Sequence, residues 1–268
     1  MVYWYIGLSA LTIMLASLAG VFFTWKVLGD WLAARLRYMV ALAAGVFTVI
    51  IFGLGEEALH EGLSFEIAGA FVFGALFLEI LTRLIPKGTH HHHGPHPEHN
   101  HTPIDARRVM LGDAIHNIHD GLALVPAFLV SPVVGFGTAA GILLHEVVQE
   151  ISEFFILREA GWSAKKALMW NFVVSGTILA GIGLSLTLVE IEEIGHLLVP
   201  FAAGGFTYIL LRDLLPSIMS HAKHEKRALS YAFAFLVGFG IMSTVSLVAP
   251  HESHEEDPLP LPEGFWLV

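Results

Sequence analysis

Again and again this chain runs for about 20 residues on apolar side chains, the length that carries an α-helix across roughly 30 Å of hydrocarbon. Such runs lie at about 3–25, 38–55, 66–85, 108–130, 134–157, 166–189, 195–216 and 228–249. Only 14% of the residues are charged, against about a quarter in a soluble globular domain. The chain therefore has too little polar surface to cover itself in water. These runs predict an all-α integral membrane protein with eight transmembrane helices, one membrane domain over 1–250, and an acidic, His-containing tail over 251–268. No basic leader precedes the apolar stretch from Tyr3 to Trp25, so it reads as an uncleaved first helix rather than a signal peptide.

Charge placement tests the span count. Lys26, Arg35 and Arg37 fall between spans one and two, and Arg83, Lys87, Arg107 and Arg108 flank the connection from three to four. Arg158, Lys165 and Lys166 lie between five and six, and Arg212, Lys223, Lys226 and Arg227 lie around the connection from seven to eight. With eight spans, all 14 basic residues share one side. The other side collects Glu56, Glu57, Glu61, Glu66, Glu190, Glu192, Glu193 and the tail from Glu252. By the positive-inside rule the basic loops are cytoplasmic and both termini lie outside. An error in the count would scramble that partition. Spans one to three and six to eight are candidates for an inverted pair around four and five, a 3+2+3 plan common among transporters. A net charge of −10 argues against a nucleic-acid partner. The absence of cysteine removes thiolate metal sites and thiol catalysis.

Spans four and five are unlike the others. Ionisable groups inside a membrane are costly, and they mark function by default. Span four carries Asp113, His116, Asn117 and Asp120 at i, i+3, i+4 and i+7, which places them on one helical face, with His119 on a different side. Span five carries His145, Glu146, Gln149, Glu150 and Glu153 in a wide polar arc. One His or Asn in a membrane helix is more often a hydrogen-bonding group between helices than a ligand. Two helices each bearing four or five such groups reverse that preference. Imidazole mixed with carboxylate and amide oxygens suits zinc, iron(II) or manganese(II) better than magnesium or calcium. The site is expected to hold its ion as cargo, with no catalytic cofactor.

HNIHDG (116–121) and HEVVQE (145–150), with GWSAKKAL (161–168) and AAGGFTYILLRDLLPSI (202–218), resemble segments of the ZIP family of divalent metal transporters. The resemblance implies zinc uptake toward the cytoplasm by alternating access, with iron, manganese or cadmium as other cargoes, and it is compatible with a homodimer. It also implies a cell-membrane location. Carried over by position, His116, Asn117 and Asp120 match the fourth-helix ligands, and His145 and Glu146 match the first two on the fifth helix. Gln149 stands where a second histidine is usual. Glu150 matches the last glutamate of the motif, Glu153 the acidic residue after it, and Glu57 a second-helix glutamate. Val148 replaces the usual proline, and span six offers Asn171 instead of a carboxylate. That departure leads us to expect one strong metal site with a weak neighbour.

Three further features have milder readings beside the sharp ones. The loop at 87–104 holds His90, His91, His92, His93, His96, His99 and His101, which suit metal buffering near an exit or a plain polar spacer. The acidic residues of the opposite face focus cations at an entrance, or are simply solvated loop ends. His145–Glu146 also begins the H-E-x-x-H pattern of metal-dependent hydrolases. An intramembrane hydrolase is therefore the alternative, although Gln149 takes the place of its second histidine.

Overall fold

The computed structural model describes residues 1–24, 31, 35–60, 62–84, 106–225 and 227–248. Among them every regular element is helical. In chain order these are α1 (Val2–Ala16), continued by a 3-10 segment Ser17–Thr24, α2 (Leu36–His60), α3 (Phe65–Leu84), α4 (Ala106–Val130) and α5 (Pro132–Glu159). Then come α6 (Ala164–Ser175), α7 (Ile178–Val189), the single turn α8 (Glu192–Gly195), α9 (Leu198–Ile209), a π-helical segment Leu210–Leu214, α10 (Leu215–Glu225) and α11 (Ala228–Val248). The His-rich loop and the acidic tail lie outside the described residues.

Five stretches are long and apolar enough to cross a membrane: Val2–Phe22, Leu36–His60, Ala164–Val189, Glu193–Glu225 and Ala228–Leu247. α4 and α5 are of comparable length, but their polar residues dilute the apolar character. Outward-facing side chains agree with a lipid surround. Phe65 on α3 is 99% exposed, and on α11 Leu229 (88%), Phe233, Leu236 and Leu247 are exposed as well. Contiguous apolar patches are rare on a chain that faces water.

The helices form two groups. In one, α11 lies along α2 and α9 along α3, while α9 also touches α2. In the other, α7 lies along α4, and α1 along α5, which packs in turn on α4. Reciprocal glycines bring three of these pairs into close approach. A Cβ on Gly45 would meet the Phe235 carbonyl and one on Gly238 the Leu42 carbonyl, closing α2 on α11. Gly74 and Gly204 do the same for α3 and α9 against Phe201 and Phe71. At the third pair, Gly121 and Gly181 face Ile178 and Ile118. Small residues are what allow such contacts between membrane helices.

The α4–α7 seam matters most to the site, because it fixes how α4 is rotated. Thr177 Oγ1 donates to the Ala114 carbonyl at 3.0 Å, and Ser185 Oγ donates to the Leu122 carbonyl at 3.0 Å. Thr177, Gly181 and Ser185 therefore run as one stripe at i, i+4 and i+8 against one line of α4. The first of those bonds coincides with the junction of α6 and α7, which together form the single apolar stretch Ala164–Val189. A Gly121→Val substitution would drive its Cβ into the Ile178 carbonyl. We expect it to destabilise the purified protein by about 1–3 kcal/mol, read as a lower melting temperature.

At the end bearing the basic residues, Arg37 pairs with Glu225, which also accepts from Tyr231 Oη at 2.7 Å. Tyr38 stacks on Tyr231 with ring centroids 5.0 Å apart, tying α2 to α10 and α11. α5 runs unbroken from Pro132 to Glu159. This agrees with Val148 standing where a helix-kinking proline is usual in the resembling family.

Candidate metal centre

α4 and α5 are antiparallel neighbours joined at Ser131, whose side chain caps α5 by accepting from the Val134 amide at 3.1 Å. The polar residues sit half-way along both helices and gather into two clusters. His116, His145 and Glu146 bring one ligand atom each to within 4.8 Å of one another, and so do Asp113, Glu150 and Glu153.

His116 Nε2 is the hub of the first cluster. It lies 3.1 Å from His145 Nε2, 3.8 Å from Glu146 Oε1 and 4.0 Å from Asp120 Oδ2. Two donors each about 2.1 Å from a tetrahedral zinc ion stand about 3.4 Å apart, and the three observed separations bracket that value. Both Glu146 oxygens and both Asp120 oxygens are buried without a hydrogen-bond donor from the protein. Buried carboxylates normally have such donors or a cation. The two facing imidazole nitrogens need either a proton or a cation between them. The arrangement thus fits a cation with mixed nitrogen and oxygen ligands.

The second cluster lies about one helical turn further toward the Arg107, Arg108 and Arg158 end. Asp113 Oδ1 accepts from Asn117 Nδ2 at 2.9 Å and from Gln149 Nε2 at 3.1 Å, and Gln149 Nε2 also lies 3.4 Å from Glu153 Oε1. Gln149 therefore turns its NH2 to the carboxylates, as it must when an amide sits between them. That leaves it a bracing donor to the second cluster in this geometry. Asp113 Oδ2, Asn117 Oδ1, Glu153 Oε2 and both Glu150 oxygens accept no hydrogen bond. Asn171 Nδ2 reaches across from α6 to the Glu150 carbonyl at 3.1 Å, and its own Oδ1 is likewise buried and unpaired. As candidate ligands these groups offer only oxygen, hence a weaker match to zinc than the imidazole pair beside them.

On the Ser131 side, apolar residues close over the first cluster. The ring of Phe47 meets His145 edge-on at 6.3 Å and lies 5.1 Å from Phe206, while Ile50 packs beside Gly141, one turn above His145. Glu57 is half-buried near the end of α2, about 15 Å along the helix from Phe47, and joins neither cluster. The loop histidines His90 to His101 fall among the residues not described.

A family profile described as ZIP Zinc transporter matches residues 106–246, a stretch that contains both clusters. Over 139 residues the chain is 31% identical to the protein named "Zinc transporter foi" of Drosophila melanogaster, covering 52% of this chain and 20% of that protein. It is 31% identical over 150 residues to "Metal cation symporter ZIP14" of Bos taurus, covering 53% and 30%. With "Zinc transporter zipt-7.1" of Caenorhabditis briggsae it shares 28% identity over 231 residues, covering 72% and 58%. In each comparison the chain spans less than two thirds of the relative's length.

Proposed function

Because the chain belongs to the ZIP zinc transporter family, we propose that it carries a divalent metal ion, zinc first, across a membrane through the two clusters between α4 and α5. The observation that carries this reading is the hub at His116. Its Nε2 faces a second imidazole and two carboxylates at the spacing a zinc shell requires, inside a helix pair where each of those groups is otherwise costly.

The path runs from the acidic face to the basic one. Cations concentrate at Glu56, Glu57, Glu190 and Glu193, reach the first cluster when Phe47, Ile50 and Phe206 part, and pass to the all-oxygen second cluster before release. A strong site followed by a weaker one favours release as well as capture. Direction toward the cytoplasm is what the resemblance implies, and the charge asymmetry makes the basic ends the cytoplasmic ones. The cell membrane as its location, iron(II), manganese(II) or cadmium as other cargoes, and a homodimer are what the resemblance implies. The His-rich loop at 87–104 has the composition to buffer ions near the exit.

Alternating access is the motion this reading requires, because Phe47, Ile50 and Phe206 must part for an ion to reach the first cluster. The pairing of helices supports the 3+2+3 plan: exchanging spans one to three with six to eight, and four with five, converts the α2–α11 pair into α9–α3 and the α4–α7 contact into α5–α1. Family members are transporters rather than enzymes. The hydrolase alternative also lacks its second histidine, since Gln149 occupies that position.

Reconstitution in proteoliposomes tests the proposal. Wild-type protein should accumulate zinc inside vesicles loaded with a zinc-sensitive dye, and His145→Ala should reduce the rate by at least about tenfold. Zinc binding without flux in the wild type, accompanied by a hydrolytic activity that His145→Ala removes, would sink it.

A further inference from the structure

His119 belongs to neither cluster. It projects from α4 toward Phe201 and Phe206 on a different side from the cluster ligands, is 0% exposed, and neither ring nitrogen makes a hydrogen bond. Its ring lies among Phe201, at 5.9 Å between centroids, and Phe206, which meets it edge-on at 6.1 Å. It fills a notch that exists because α9 carries glycine at 205. A Cβ there would collide with Nε2. An apolar side chain would occupy such a place at less cost than an unpaired imidazole.

What distinguishes the ring is its other edge. Nδ1 lies 3.5 Å from Asp120 Oδ1, while the second oxygen of that carboxylate, Oδ2, is the one facing His116 Nε2. Asp120 is thus addressed from both sides, by the first cluster on one oxygen and by His119 on the other. Groups that hydrogen-bond a ligating carboxylate set its orientation and tune the ion it binds.

We propose that His119 is a positioning residue for Asp120: when a cation occupies Oδ2, the Nδ1–H of His119 donates to Oδ1 and holds the carboxylate in one-oxygen ligation. The Gly205 notch keeps the ring in place by seating Nε2 against the Cα of α9. Because α9 packs with α2 and α3, the geometry of one ligand is referenced to the other group of helices. The inference rests on the metal-site reading above.

The side-chain amide of Asn can stand near the Nδ1 position of histidine, and that of Gln near the Nε2 position. Zinc affinity of the purified full chain, measured by dye competition, should therefore stay within about threefold of wild type in His119→Asn. It should fall about 10–100-fold in His119→Gln and His119→Phe. A purely structural role predicts no such split, since Phe preserves packing best. Equal losses in all three variants, or no loss in any, would overturn the proposal. Gly205→Ala supplies a second route, because its methyl displaces an intact His119. Affinity should fall there too, and unchanged affinity would count against the proposal. Failure of the wild type to bind zinc would instead overturn the metal-site reading itself.

Discussion

Glu146→Gln should make the metal-free protein more stable while removing its transport. Glu146 is 0% exposed, and neither of its oxygens accepts a hydrogen bond from the protein. Around it stand Asp120, Asp113 and Glu150, all buried as well. Holding a carboxylate there without a partner costs several kcal/mol, and an amide of the same shape lifts the like-charge repulsion. The melting temperature in chelator should therefore rise by a few degrees. Zinc reverses the order. A ligand that binds only the folded state adds about 2.7 kcal/mol when present at a hundred times its Kd, and the variant forfeits most of that gain. Vesicle flux should drop by at least about a hundredfold, a ratio that corresponds to about 2.7 kcal/mol. A variant that melts lower in chelator and still transports would show that Glu146 is a packing residue.

How much of this arrangement is legible before folding can be judged residue by residue. His116 with Asp120, and His145 with Glu146, stand out because polar groups at helical spacing inside apolar spans are costly unless they bind something. The same spacing places Asp113, His116, Asn117 and Asp120 on one face, and there the sequence reading stops short. Asp113 and Asp120, seven residues apart, differ by about 10 Å of helical rise, more than the 4.8 Å within which a cluster's ligand atoms lie, and Asn117 turns back onto Asp113. One face therefore becomes two levels. Asp113 and Asn117 join Gln149 and Glu153, while His116 and Asp120 join His145 and Glu146.

Tertiary bonds account for much of what remains hidden. The junction of α6 and α7 coincides with the Thr177 hydroxyl reaching a carbonyl on α4, and no periodicity within 164–189 reports that. Asn171 is visible as a polar residue in an apolar helix, but its contact is the Glu150 carbonyl on α5. The notch for His119 depends on a glycine in a distant helix, so the motif alone shows only that the residue points elsewhere. The π-helical turn at Leu210–Leu214 has no signature in a run of leucines. Close by, Tyr208 and Arg83 both hydrogen-bond Glu79, with Arg212 Nε 4.0 Å from the same carboxylate, which joins α9 to α3.

Asp113→Asn should separate capture from release. Asp113 is 2% exposed and receives amide hydrogens from Asn117 and Gln149, so the asparagine keeps the shape while removing the charge shared with Glu150 and Glu153. The first cluster retains His116, Asp120, His145 and Glu146, and zinc affinity should stay within about threefold. Passage onward loses one of its three carboxylates. Maximal flux should fall by about tenfold or more with little change in the half-saturating zinc concentration, the pattern of an interaction used after initial binding. Glu153→Gln should behave alike, because its free oxygen belongs to the same cluster. The contrast with Glu146→Gln is what gives the pair its force. If Asp113→Asn lowered affinity as far as Glu146→Gln does, the two clusters would be one centre; if it left flux intact, the second cluster would lie off the path. A two-level pathway requires the intermediate result, an ion held normally and passed on slowly.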